Sequence, residues 1–183
     1  MNIANFFTAT RMIAAPLFIM LYYLPRYVGI SEQTVILILV PLFIYMEFTD
    51  FLDGYIARKR NLVTNFGKFM DPLADKLLVC AAMICMIPLS YLPAWYVIIL
   101  ISREFIISGF RLIAVEQNVV IAASYFGKFK TVSQMVMIIL LILQIPALNL
   151  VTTGFVYLSL ALTIISLIDY LYKNRSVLEE GGF

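Results

Sequence analysis

From Thr131 to Ile168 no side chain carries a charge, and the same holds from Leu77 to Ile101. A bilayer span takes about 20 mostly apolar residues, so each run is long enough to cross a membrane and begin to return. With no water to satisfy a lipid-exposed backbone, runs of this kind are expected to be helical. The rest of the chain agrees. Of its 183 residues 63% are hydrophobic and 13% charged, and the mean hydropathy of +0.97 lies outside the range of water-soluble globular domains. The expectation is an all-α integral membrane protein with a single domain covering residues 1–183. The net charge of +2 says little about partners, and no nucleic acid is expected among them.

Proline, glycine and polar breaks show where the long runs are cut. Pro88 and Pro93 divide one of them, and the stretch from Pro146 to Gly154 divides the other. Six spans result, near residues 8–25, 33–57, 70–89, 93–115, 130–147 and 152–172. Charge placement orients them. Arg58, Lys59, Arg60, Lys68, Lys76, Arg103, Arg111, Lys128 and Lys130 gather around the second-to-third and fourth-to-fifth connections, whereas "PLSYLP" and "IPALNLVTTG" contain no lysine or arginine. By the positive-inside rule the former connections are cytoplasmic. Lys173 and Arg175 agree, so both termini are expected inside, and Arg26 is the one basic residue on the other side. The opening "MNIANFFTATRMIAAPLF" lacks the early basic region and small-residue cleavage site of a secretory signal and is read as retained. Tyr22-Tyr23, Trp95-Tyr96 and Tyr170 read as interfacial belts.

Cys80 and Cys85 lie in an uncharged stretch with no metal-like spacing and are read as inert buried thiols. The chain has no histidine. Any general base is therefore expected to be a carboxylate.

Against this apolar background, the segment "DFLDGYIARKRNLVTNFGKFMDPLADK", residues 50 to 76, concentrates acid. At about 100° per residue Asp50, Asp53, Gly54 and Ala57 share one helical face, and Asp71 and Asp75 share a face of the next helix. The third span needs the residues from about Met70 onward to reach a crossing length, which carries Asp71 and Asp75 into its cytoplasmic end. A short connection makes the two helices antiparallel neighbours, so their acids can converge. Carboxylates so placed repel one another and take up protons unless cations neutralise them. Oxygen-rich sites of this kind suit magnesium or manganese, which bridge carboxylates and substrate phosphates. Gly54 and Ala57 admit a substrate group close to the backbone, Gly67 opens the next helix end, and Arg58 can hold a phosphate. The competing reading is a structural ion network in which the acids pair with Arg58, Lys68 and Lys76 and the glycines serve close packing.

Asp50-x-x-Asp53-Gly54-x-x-Ala57-Arg58, followed after eight residues by Gly67-x-x-x-Asp71-x-x-x-Asp75, resembles at every fixed position the signature of the CDP-alcohol phosphatidyltransferases. The resemblance implies a six-span, homodimeric membrane enzyme. Such an enzyme transfers a phosphatidyl or related group from a CDP-linked donor to an alcohol and releases CMP. It further implies that Asp50, Asp53, Asp71 and Asp75 hold two divalent cations, Mg2+ or Mn2+. Asp71 and Asp75 are the catalytic pair, with Asp75 the favoured general base. Asp53, Gly54, Ala57, Arg58 and Gly67 contact the cytidine diphosphate.

Further along, Arg103-Glu104, Arg111 and the run Gly127-Lys128-Phe129-Lys130-Thr131 place cations near the same expected face. Arg103 falls inside the fourth span and Arg111 about two turns further along a similar face, where an intramembrane arginine serves a cavity or a partner. Glu104 is one candidate partner. Arginines and a lysine beside a metal site suit an acceptor that is itself a phosphate ester, which assigns Arg103, Arg111 and Lys128, with Lys130 and Thr131 beside them, to an acceptor phosphate. "NLVTNFGKFMDPLADKLLV", "SREFIISGFR", "GKFKT" and Asn5-x-x-Thr8-x-x-Arg11 look like the phosphatidylglycerophosphate synthase branch of the family. Ala4 stands where that branch often has proline. The branch implies CDP-diacylglycerol as donor, sn-glycerol 3-phosphate as acceptor, contact with membrane lipids, and a bacterial cytoplasmic membrane with the active site at the cytoplasmic face. Three rivals keep part of the pattern. They are the same chemistry with inositol phosphate or phosphatidylglycerol as acceptor, an aspartate-rich intramembrane prenyltransferase, and a cation carrier.

Overall fold

The computed structural model describes the backbone of residues 3–60, 65–116 and 124–175, and the side chains of these residues except 3–9, 11, 50–60, 65–75 and 115–116. Among the described residues the elements are α1 (Ile3–Val28), α2 (Glu32–Arg60), α3 (Asn65–Met86), α4 (Ala94–Glu116), α5 (Tyr125–Leu143) and α6 (Asn149–Lys173), with a 3-10 turn at Pro146–Leu148 before α6. Each expected span has its helix. The longer helix ends have local causes. α5 starts ahead of residue 130 because the Ser124 hydroxyl accepts the Gly127 N–H at 3.1 Å and caps the first turn, which draws Gly127 and Lys128 into the helix. It stops at Leu143, where Gln144 is left-handed with φ 48° and Pro146 lies just beyond. Between α3 and α4 the prolines at 88 and 93 enclose a turn in which Ser90 takes φ 60°. Pro16, Pro25 and Pro41 sit inside α1 and α2 without ending them, a tolerance common to helices in lipid.

Among the described residues three segments are long and apolar enough to cross a membrane: Glu32–Thr49, Tyr125–Leu143 and Pro146–Lys173. Met12–Val28 and Lys76–Met86 are shorter apolar stretches among the described residues. α4 is long but carries Arg103, Glu104 and Arg111 in its interior. The protein is thus an all-helical integral membrane protein.

The helices form two compact units, Met1–Leu92 and Pro93–Phe183. In the first, α1 packs most extensively on α3, then on α2, while α2 and α3 touch more sparingly. Ala14 and Ala15 on α1 and Ala81 and Ala82 on α3 are buried; small side chains let helix backbones approach where hydrocarbon supplies no hydrophobic drive. Phe18 is fully buried and meets Tyr22 at 6.0 Å and Phe43 at 6.2 Å between ring centroids. On α2, Val35, Leu39, Phe43 and Met46 make the matching inward stripe, whereas Ile13, Met20, Leu37 and Ile44 point outward, as side chains that meet lipid do.

In the second unit α6 packs against both α4 and α5. Its inward face is Ser159, Thr163, Ser166 and Tyr170, a polar seam on a helix whose only charged residues, Asp169 and Lys173, lie at its C-terminal end. Each hydroxyl of the seam's serines and threonine bonds back to its own helix: Ser159 to Val156 O at 3.1 Å, Thr163 to Ser159 O at 2.6 Å and Ser166 to Thr163 O at 3.0 Å. Tyr96 enters this seam from α4, with its hydroxyl 2.9 Å from Val156 O and also against Ser159 Oγ. Tyr96 and Tyr170 are only 1% and 2% exposed, so neither is a belt residue, while their neighbour Trp95 is exposed. Polar partners on α6 take Tyr96 inward, and packing against Phe110 and Arg111 of α4 takes Tyr170 inward. Tyr96→Phe is expected to lower stability by about 1 kcal/mol, read by unfolding in detergent micelles, and to leave turnover near the parent value.

Candidate active site

The signature occupies two helix ends of the first unit. Asp50, Asp53, Gly54, Ala57 and Arg58 lie in the final turns of α2, which runs on to Arg60, and Gly67, Asp71 and Asp75 lie in the early turns of α3, which starts at Asn65. Continuous helix through both segments gives the three- and four-residue spacings their meaning: the paired acids of each helix share a face. The side chains of these eight residues lie outside the described residues. As a donor set the four aspartates among them fit a hard divalent cation, being carboxylate oxygens alone, with no sulfur or imidazole to favour a softer metal. Among the described residues no group of three or more Asp, Glu, Cys or His side chains comes together. Neither Cys80, half-buried, nor Cys85, buried, is in a disulfide.

The second unit holds the basic group. Arg103 and Glu104, consecutive on α4, are 8% and 7% exposed, and Lys130 on α5 is 2% exposed. Arg103 Nη1 donates to Glu104 Oε1 at 3.1 Å, and Lys130 Nζ donates to the same oxygen. Arg103 Nη2 donates to Ser166 Oγ on α6 at 3.1 Å. Two buried cations therefore share one carboxylate oxygen, so the group as a whole carries a positive excess in a desolvated place. The Arg103 Nε and Arg111 Nε atoms are buried and have no hydrogen-bond partner among the described residues.

Arg111 leans over the Tyr170 ring, 6.0 Å from its centroid. Tyr170 is also packed edge-on by Phe110 at 5.7 Å and belongs to a cluster with Ile107, Phe110 and Ala114 of α4. Lys128 is exposed, with its amine 5.5 Å from the centre of the Tyr125 ring. Thr131 is exposed and donates its hydroxyl to Gly127 O at 3.1 Å. Arg103, Glu104 and Lys130 are thus brought into one bonded group, Arg111 reaches the same helix α6 as Arg103, and Lys128 and Thr131 stand on the outer side of the first turns of α5. Sequence reasoning missed Ser166, Asp169 and Tyr170. Asp169 holds Lys173 at 2.7 Å through Oδ1. The available signal was the spacing of Ser159, Thr163, Ser166 and Tyr170 on one face of a helix that otherwise lacks polar groups facing inward.

Comparison with known proteins gives concordant results. The profile of the family described as "CDP-alcohol phosphatidyltransferase" matches residues 1–165. A Bacillus subtilis protein named CDP-diacylglycerol--glycerol-3-phosphate 3-phosphatidyltransferase is 39% identical over 191 aligned positions, covering 99% of both chains. Proteins of the same name are 36% identical in Rickettsia bellii, over 92% of this chain and 93% of theirs, and 38% identical in Haemophilus influenzae, over 98% and 97%.

Proposed function

The chain belongs to the CDP-alcohol phosphatidyltransferase family, and from that premise we propose that it transfers the phosphatidyl group of CDP-diacylglycerol to sn-glycerol 3-phosphate, forming phosphatidylglycerol phosphate and CMP. End-to-end similarity to relatives of that name carries the reading. The basic group on α4 and α5 supports an acceptor that bears a phosphate.

The family depends on divalent metal, and Asp50, Asp53, Asp71 and Asp75 would hold two such ions, Mg2+ or Mn2+. When bound, they offset the charge of the pyrophosphate and of the departing CMP. Asp53, Gly54, Ala57, Arg58 and Gly67 receive the cytidine diphosphate, Arg58 as a planar donor to phosphate oxygen. Asp75 takes the proton of the acceptor's primary hydroxyl as that oxygen bonds to the phosphatidyl phosphorus. The bond from phosphorus to the CMP oxygen breaks, and CMP leaves with the electron pair. No covalent intermediate with the protein is needed.

Arg103, Arg111 and Lys128 bind the acceptor's phosphate. Lys130 and Thr131 act from behind them, since the Lys130 amine is engaged by Glu104 and the Thr131 hydroxyl by the Gly127 carbonyl. All six helices cross the membrane in this reading, including α4, whose buried charges face other helices of its unit. Both termini and the active site lie on the cytoplasmic side of a bacterial membrane, and the protein works as a homodimer, with the acyl chains of its donor entering from the bilayer.

The test is CMP release by purified protein in detergent with CDP-diacylglycerol and magnesium. The acceptors compared are sn-glycerol 3-phosphate, inositol phosphate, phosphatidylglycerol, serine and none. Release with glycerol phosphate alone is expected. Release with another alcohol would move the acceptor assignment and keep the aspartate chemistry. Folded protein that releases no CMP with any acceptor would overturn the proposal.

A further inference from the structure

Arg103 is held in an unusual way for a ligand-binding arginine. Its two terminal nitrogens are both committed to protein: Nη1 to Glu104 Oε1 and Nη2 to Ser166 Oγ, each at 3.1 Å. Ser166 has no freedom to let go, because it is fully buried and its own proton is given to Thr163 O at 3.0 Å. Glu104 is held in turn by Lys130, which donates to the same Oε1. A planar guanidinium pinned at two corners from two different helices cannot swing about its last bonds, so the orientation of its remaining edge is set. That edge carries Nε–H, which is buried and unpaired among the described residues.

Arg111 presents a second Nε–H in the same condition. The two arginines start about 12 Å apart along α4, yet both reach one turn of α6, Arg103 to Ser166 and Arg111 to Tyr170. The Tyr170 hydroxyl there is buried and has no well-formed hydrogen bond among the described residues. Donors that reach one turn of α6 and have no partner among the described residues are suited to an anion with several acceptor oxygens.

We infer that Glu104 and Ser166 are positioning residues for acceptor recognition: together they hold Arg103 so that its Nε edge, beside Arg111, is presented to the acceptor's phosphate. Lys130 acts through Glu104, dividing that carboxylate between two cations so that it orients Arg103 without cancelling its charge. This inference rests on the assignment of Arg103 to the acceptor phosphate.

The sign of one change separates positioning from simple charge balance. Glu104→Gln removes a negative charge beside the phosphate site. If Glu104 only tempered the field, the variant would bind glycerol 3-phosphate more tightly. If Glu104 orients Arg103, the variant binds it less tightly despite the more positive field. Steady-state kinetics in detergent with both substrates varied should show KM for sn-glycerol 3-phosphate raised about ten-fold in Glu104→Gln, with kcat and KM for CDP-diacylglycerol within about two-fold of the parent. Ser166→Ala changes no charge and little volume, and keeps the inference testable if Glu104→Gln does not fold; it should raise the same KM about five-fold. Arg103→Lys, which keeps the charge but not the fork, should behave like Arg103→Ala.

An unchanged or lowered acceptor KM in Ser166→Ala, or in folded Glu104→Gln, overturns the inference while Arg103→Ala still raises it. An unchanged acceptor KM in Arg103→Ala itself overturns the acceptor-phosphate assignment, and this inference with it. A fall in kcat with equal changes in both KM values would mark Glu104 and Ser166 as structural and also overturn it.

Discussion

Asp75→Asn protein should fold and insert as the parent does and turn over about 10³-fold more slowly, with Asp71→Asn close behind. Both positions lie within continuous helix of α3, so the exchange of one planar side chain for another of the same size leaves the backbone undisturbed. What changes is chemical. An amide carries no negative charge to balance a divalent cation and cannot take a proton from an alcohol, and the chain offers no histidine to take over. The two variants should differ in one respect. Loss of a metal ligand can be offset by mass action, so raising Mg2+ or Mn2+ is expected to restore part of the Asp71→Asn activity. Loss of the proton acceptor cannot, and Asp75→Asn should keep its full defect of about 10³-fold at saturating metal. CMP release over a metal titration reads both. A folded variant of either kind that works near the parent rate would remove the aspartates from the mechanism.

The helical layout was legible because it is dictated by solvent. Uncharged runs can satisfy their backbone in lipid only as helices, and Pro88, Pro93 and Pro146 mark where they must be cut; α3, α4, α5 and α6 end or begin beside those prolines. The early start of α5 was less legible, since it turns on a single hydroxyl of Ser124 finding the Gly127 N–H. The acidic signature was legible because like charges at helical spacing in an apolar chain have few stable explanations. What sequence could not give was pairing across helices. Tyr96 and Tyr170 look like interface residues by composition, and only the partner helix decides that they are buried. Glu104 was visible as a neighbour of Arg103, but its sharing between Arg103 and Lys130 depends on how α4 meets α5, and Ser166 belongs to a helix with no charge pattern to attract notice.

Arg111→Ala should raise KM for sn-glycerol 3-phosphate by about 10²-fold and leave KM for CDP-diacylglycerol almost unchanged, since a charge-assisted hydrogen bond to phosphate contributes about 1.5–3 kcal/mol. Arg111 leans against Tyr170, so its stem also packs, and Arg111→Met keeps that packing while removing the charge. The two variants should therefore share the kinetic defect and differ in stability. Arg111→Lys should recover only part of the loss, because an ammonium restores the charge without the planar fork. Combining Arg103→Ala with Arg111→Ala should cost less than the product of the single effects, as groups that hold one phosphate are coupled through it. Specificity gives the sharpest reading. The parent is expected to prefer glycerol 3-phosphate over glycerol by a wide margin, and that margin should shrink in each arginine variant because only the phosphate is read by these residues. An Arg111→Ala enzyme with unchanged affinity for glycerol 3-phosphate and an unchanged margin over glycerol would show that the buried cations of the second unit serve its packing, and that the acceptor's phosphate is bound elsewhere.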